Sequence, residues 1–204
     1  TVSNLASITG AADNQSNSVA ISSADTNTNL AATGLADGTY KVYAVDAAGN
    51  LSNASTNSVT LDTTAPTANF TAATDDVGTV TGALTSGNTT DDTALVLSGT
   101  NESGSSVKVY NSSTELDNAT VSGTSWSYSA TVANGTTYQF NVKETDLAGN
   151  TSDATSNFAV TGDTTAPTAS VTTAAIPNSG NAVVQSTETG TAYLVNTAVT
   201  VSNL

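Results

Sequence analysis

Residues 125–145 read SWSYSATVANGTTYQFNVKET. Trp126 and Tyr128 alternate with serines, and after Asn134-Gly135 the alternation resumes at Tyr138 and Phe140. A period of two places one set of side chains on one face of an extended segment, which is the mark of a half-buried strand. The Asn-Gly pair between the segments is turn chemistry, because both residues tolerate the positive φ of a tight reversal. The spacing predicts two neighbouring strands, 125–132 and 137–145, whose four aromatic residues pack into a core.

The same alternation appears at Tyr40-Lys-Val-Tyr-Ala-Val45 and at Val107-Lys-Val-Tyr110. Working outward, further strands are expected at 67–72, 79–84, 94–98, 106–110, 118–122 and 153–161, separated by Gly, Asn, Asp and Ser. No segment shows a helical period with caps. Seven or eight strands in about a hundred residues, with turn signals every 8 to 12, argue an all-β chain built of immunoglobulin-like Greek-key sandwiches. The Cys and Trp marks of antibody domains are absent.

The chain also repeats. Asp46-Ala-Ala-Gly-Asn50 returns as Asp146-Leu-Ala-Gly-Asn150, and Asp62-Thr-Thr-Ala-Pro66 returns as Asp163-Thr-Thr-Ala-Pro167, at offsets of 100 and 101 residues. Glu102-Ser-Gly-Ser-Ser-Val-Lys-Val109 has a weaker echo in Glu188-Thr-Gly-Thr-Ala-Tyr-Leu-Val195. The Thr-Thr-Ala-Pro segments read as linkers, since proline fixes its own φ and pushes the preceding residue toward an extended conformation. Cutting there gives a whole domain at 67–167, the later half of a domain at 1–66, and the earlier half of one at 168–204. The pentapeptide Thr1-Val-Ser-Asn-Leu5 recurs as Thr200-Val-Ser-Asn-Leu204, so the two halves are expected to belong to one second domain type. Two alternating domain types arranged linearly, with a 199-residue period, are the organisation this predicts.

Composition limits the function. Seventeen acidic residues face three lysines, with no Arg, His, Cys or Met, for a net charge of −14. Such a chain has no basic cluster with which to bind nucleic acid, and an anionic membrane would repel it. No apolar run approaches the ~20 residues of a membrane helix. Without His or Cys the usual serine and cysteine triads and imidazole or thiolate zinc sites are excluded, so no enzyme is expected.

Repeated Asp-x-Ala-Gly-Asn loops, Asp-Thr-Thr-Ala-Pro linkers, Ser98-Gly-Thr-Asn-Glu-Ser-Gly-Ser-Ser-Val107 ahead of a strand and the spacing of about a hundred residues resemble the bacterial immunoglobulin-like repeats of giant secreted adhesins and biofilm-associated proteins. The resemblance covers essentially the whole chain. It implies type I secretion, display on the bacterial surface, and calcium ions that rigidify the joints between domains.

The residues themselves fit a hard cation, because calcium takes six to eight oxygen ligands and this sequence offers little else. In a sandwich of this topology the incoming linker, the B–C loop and the F–G loop share one end. Asp62, Glu102 and the loop Asp146 to Asn150 are therefore expected to converge, and Asp163, Glu188 and the loop Asp46 to Asn50 to repeat the arrangement at the second joint. Asp-x-Ala-Gly-Asn is equally a tight turn closed by its own side chains. The pairs Asp75-Asp76 and Asp91-Asp92 lie in the long A–B connection at the other end and read as a solvated acidic loop, the alternative being that they add ligands near the outgoing Asp163.

The expected function is a structural repeat of an extracellular adhesin or filament, secreted or on the bacterial surface, giving reach and calcium-dependent stiffness for attachment or biofilm. Its expected partners are neighbouring copies of the same repeat. The alternative is a carbohydrate-binding or accessory module of a secreted polysaccharide-active enzyme, for which Trp126 is the main stacking candidate.

Overall fold

The computed structural model describes residues 4–201. Among them are one short helix and fourteen strands, which divide into two compact units, Thr1–Pro66 with Thr145–Thr151, and Thr67–Glu144 with Ser152–Leu204. Most of the TVSNL pentapeptides, on which the 199-residue period rests, lie outside the described residues.

The first unit opens with α1 (Leu5–Thr9), capped by Asn4, whose side chain accepts from the Ser7 backbone N–H at 3.0 Å. The sequence reading expected no helix. An Asn cap is enough to start a turn of five residues, too short to leave a periodic signal. Strands β1 (Gly38–Tyr40) and β2 (Val59–Leu61) then pair antiparallel, Gly38 opposite Leu61.

The second unit contains the sandwich. Its strands are β3 (Asn69–Asp75), β4 (Gly82–Ala83), β5 (Asn88–Thr90), β6 (Ala94–Thr100), β7 (Ser106–Asn111), β8 (Thr114–Asn118), β9 (Thr120–Ser122), β10 (Ser125–Thr131), β11 (Thr137–Thr145) and β12 (Phe158–Gly162). They form two five-stranded sheets in the orders β4-β3-β6-β10-β9 and β5-β12-β11-β7-β8. Consecutive strands pair at β3–β4, β9–β10, β7–β8 and β11–β12, while β3–β6, β6–β10, β11–β7 and β12–β5 join distant parts of the chain, as in a Greek key; the edge strand β5 lies parallel to β12 while the other registered pairs are antiparallel. This is an immunoglobulin-like sandwich. Strands β13 (Ala169–Val171) and β14 (Val184–Ser186) make a separate antiparallel pair.

Strand alternation fills the core as expected. Leu95 and Leu97 from β6, Val107 and Val109 from β7, Phe140 and Val142 from β11 and Val160 from β12 are all at most 1% exposed. Trp126 packs edge-on to Phe70 at 5.7 Å, and Tyr138 stacks on Phe140 at 5.4 Å. Gly99 lies opposite Trp126 because a side chain there would occupy the space of the indole and of the Asn69 carbonyl.

Several boundaries differ from the sequence reading. The strand expected at 118–122 is divided: β8 belongs to one sheet and β9 to the other, and the chain crosses between them at Ala119, whose N–H donates to the Val107 carbonyl at 2.8 Å. Strands β5 and β8 were not foreseen. Both are sheet edges: β8 is exposed along its whole length, and in β5 only Thr90 is buried, so neither carries the alternation that marks a buried face. The segment expected as a strand from 153 becomes regular only at Phe158, after a stretch held by Ser152 N–H on the Glu144 carbonyl and Thr155 N–H on that of Val142.

Candidate cation-binding loops

The loop from Asp146 to Asn150 closes on its own side chains. Asp146 Oδ1 accepts from the Asn150 backbone N–H at 2.8 Å and Oδ2 from Asn150 Nδ2 at 2.8 Å. The Gly149 N–H donates to the Asp146 carbonyl at 3.3 Å, and Gly149 has φ 95°, a left-handed conformation that disfavours any residue with a Cβ. The Asn150 side-chain amide, followed by the backbone N–H groups of the loop, holds the Asp146 carboxyl below the usual carboxylate range.

The Asp46 to Asn50 loop is the same object. Asp46 Oδ1 accepts from Asn50 N–H at 2.8 Å and Oδ2 from Asn50 Nδ2 at 2.8 Å, and the same bonds lower its pKa. The flanking bonds match as well. Ala44 N–H donates to Ser52 Oγ at 2.9 Å as Glu144 N–H donates to Ser152 Oγ at 2.9 Å, and Val42 N–H donates to Ser55 Oγ as Val142 N–H donates to Thr155 Oγ1.

Asn150 Nδ2 has a second acceptor, the Asp62 carbonyl, at 3.0 Å. The Asp62 carboxylate accepts from the Thr64 N–H at 2.9 Å. Asp37, which the sequence reading did not single out, anchors the same linker: its carboxylate accepts from the N–H and hydroxyl of Thr63 at 3.0 and 2.9 Å and from the Thr64 hydroxyl at 3.2 Å. The Thr63 bonds draw its pKa down.

In the second unit Glu102 extends an exposed side chain from the loop between β6 and β7. Its backbone N–H donates to Glu144 Oε1, which also accepts from the Ser105 hydroxyl at 2.6 Å. Glu144 is 0% exposed, and its Oε2 has no protein partner; neither has Oδ1 of buried Asn101. Sequence reasoning missed Glu144. Its place in the alternation, two residues beyond Val142 on the buried face, was the available signal, and the equivalent position of the other loop is Ala44.

Asp163 and Glu188 are exposed. The Asp163 N–H donates to the Thr90 carbonyl at 2.8 Å, and the Glu188 N–H donates to Ser186 Oγ at 3.2 Å. Of the eight residues expected to bind a cation, the folded chain joins Asp46 to Asn50, Asp146 to Asn150, and Asn150 to Asp62. Among the described residues no three acidic side chains gather around a common point. Trp126 is 2% exposed with its indole N–H on the Asn69 carbonyl at 3.0 Å, so it presents no face for stacking a sugar.

Two mainly antiparallel sheets joined as a Greek key define an immunoglobulin-like module. Residues 65–164, which span the whole sandwich, match the family model for the bacterial Ig-like domain. No curated protein matches the chain. Among the described residues no helix is long and apolar enough to cross a membrane.

Proposed function

We propose that this chain is a structural repeat of a bacterial extracellular adhesin or filament, giving reach, and stiffness that depends on calcium held at the joints between domains. The observation that carries this reading is the bond-for-bond return of the Asp46 loop at Asp146, 100 residues on, around side chains in opposite states of burial. Val142 is 0% exposed inside a complete sandwich, whereas its counterpart Val42 is 55% exposed. The first unit has an apolar cavity of about 320 Å³ lined by Ile8, Leu30, Leu35, Tyr40, Val42 and Leu61, where the whole domain has packed core. A half-domain of this kind is completed by the strands of a neighbouring repeat, and such head-to-tail completion propagates as a linear array.

Calcium is supported by the donor chemistry of Asp62, Glu102, Asp146 and Asn150 at the first joint and of Asp163, Glu188, Asp46 and Asn50 at the second, all oxygen. Glu144 Oε2 and Asn101 Oδ1, buried without partners in the network that holds Glu102, add two acceptors suited to a cation. The test is solution scattering and thermal unfolding of a chain spanning two periods, with calcium and with chelator. Chelation is expected to lower the melting temperature and to broaden the distribution of interdomain angles; identical curves would reject the calcium joint. Specific, saturable binding on a glycan array would favour the carbohydrate-binding alternative.

A further inference from the structure

The loop between β10 and β11 grips the segment that leaves β12. Asn134 Oδ1 accepts from the Thr164 backbone N–H at 2.8 Å, and its Nδ2 donates to Thr165 Oγ1 at 2.9 Å. The first unit contains the same grip with an acid in place of the amide: Asp37 Oδ1 accepts from the Thr63 N–H at 3.0 Å and Oδ2 from the Thr64 hydroxyl at 3.2 Å. Thr63-Thr64 and Thr164-Thr165 are equivalent residues of the two Asp-Thr-Thr-Ala-Pro segments, and Asp37 and Asn134 are each followed by glycine.

Asn134-Gly135 is also the one Asn-Gly pair of the chain, and both residues are exposed. Asparagine before glycine is prone to deamidation, since no Cβ on the second residue hinders attack of its backbone nitrogen on the side-chain carbonyl carbon. The Gly135 nitrogen would bond to Asn134 Cγ as the Cγ–Nδ2 bond breaks; the proton it carried passes through solvent to Nδ2, which leaves as ammonia, and water then opens the succinimide to aspartate or isoaspartate. The folded chain withholds every group this needs. The Gly135 N–H donates to the Gly162 carbonyl at 2.8 Å, and Thr164 and Thr165 occupy the two ends of the carboxamide. Gly162 is fixed in turn by its own N–H on the Thr136 carbonyl at 3.0 Å.

We propose that Asn134 is a deamidation site gated by the outgoing linker: closed while residues 162–165 lie against the β10–β11 loop, and open when they come away. Modification confined to an opened form proceeds in proportion to the population of that form. The fraction of Asn134 converted therefore records the time the linker has spent detached, whether or not calcium sits at the joints. Aspartate as product keeps the grip, with the Thr165 hydroxyl turned to donate as the Thr64 hydroxyl donates to Asp37. Isoaspartate loses it, because the main chain then runs through the former side chain and leaves the carboxylate on the α-carbon.

The whole chain, aged in mildly alkaline buffer and mapped by peptide mass spectrometry with isoaspartate resolved from aspartate, tests the gate. Deamidation at Asn134 should be about tenfold slower in the folded chain than in the same chain unfolded in guanidinium chloride. Thr165→Ala and Thr164→Pro, which each remove one bond of the grip, should speed it several-fold while conversion at Asn111-Ser112 in the same digest stays unchanged. Equal rates in the folded and unfolded chain, or linker variants that leave Asn134 as slow as before, would overturn the proposal; so would acceleration at Asn111 as well, since that reports opening of the whole domain. If Thr164→Pro fails to fold, Thr165→Ala decides. Hydrogen exchange checks the product: the Thr164 N–H should stay protected in Asn134→Asp and lose protection in Asn134→Ala, and loss in both would refute retention of the grip.

Discussion

Asn150 donates one amide nitrogen to two oxygens 84 residues apart in sequence, Asp146 Oδ2 at 2.8 Å and the Asp62 carbonyl at 3.0 Å. A single side chain thus closes a turn and holds the linker that precedes the sandwich. Asn150→Ala removes both bonds and should cost about 1 kcal/mol, a modest figure because the site is only partly buried. Urea unfolding would measure it, and hydrogen exchange should show faster exchange in 60–66 than at Val142.

The acid limb of stability should depend on three aspartates. The folded pKa values of Asp37, Asp46 and Asp146 lie below the ordinary value. A depressed carboxyl contributes stability that is fully present above its unfolded pKa of about 3.9 and is lost as pH falls through the folded value. Asp146→Asn should therefore make stability less steep below about pH 4, with little change in slope at neutral pH. Thermal melts from pH 2 to 7 would check this.

Gly99→Ala should be among the most damaging single-methyl additions to the sandwich. The new Cβ would stand 2.0 Å from the Asn69 carbonyl oxygen and 2.6 Å from Trp126 Nε1. One of these is backbone and the other a ring packed against Phe70, so neither yields without breaking the indole hydrogen bond. We expect a loss of about 3 kcal/mol. A red shift of Trp126 fluorescence in the still-folded protein would report the displaced ring.

Val42 and Val142 should respond differently to one substitution. Val142→Ala empties part of a closed core and should cost about 2 kcal/mol, whereas Val42→Ala in the same chain should stay within about 0.5 kcal/mol. In a chain extended by a further period, the cost at Val42 should rise toward that at Val142. An unchanged value there would count against the proposed completion of residues 1–66 by a neighbouring repeat.

What the sequence determined by itself was whatever rests on near neighbours. Alternation marked β6, β7, β10 and β11, since a period of two must face a core wherever that core lies. The turn Asp146 to Asn150 was legible because the bonds that close it fall within five residues, whereas the hold of Asn150 on the Asp62 carbonyl, 88 residues away, was not. Tertiary structure decided what depends on residues far apart. The exposed edges β5 and β8 exist only because a neighbouring strand supplies hydrogen bonds, and at Ala119, whose N–H makes the last bond to β7 at the Val107 carbonyl, the chain passes to the other sheet. The fate of the acids belongs to the same class. Asp75 and Asp76 are alike in sequence, but the closing of β3, β5 and β6 around Thr90 buries one and leaves the other in water, as the meeting of β11 with the Asn101–Ser105 loop buries Glu144. Burial of a charge is a property of the elements that enclose it, and no local pattern records which elements those will be.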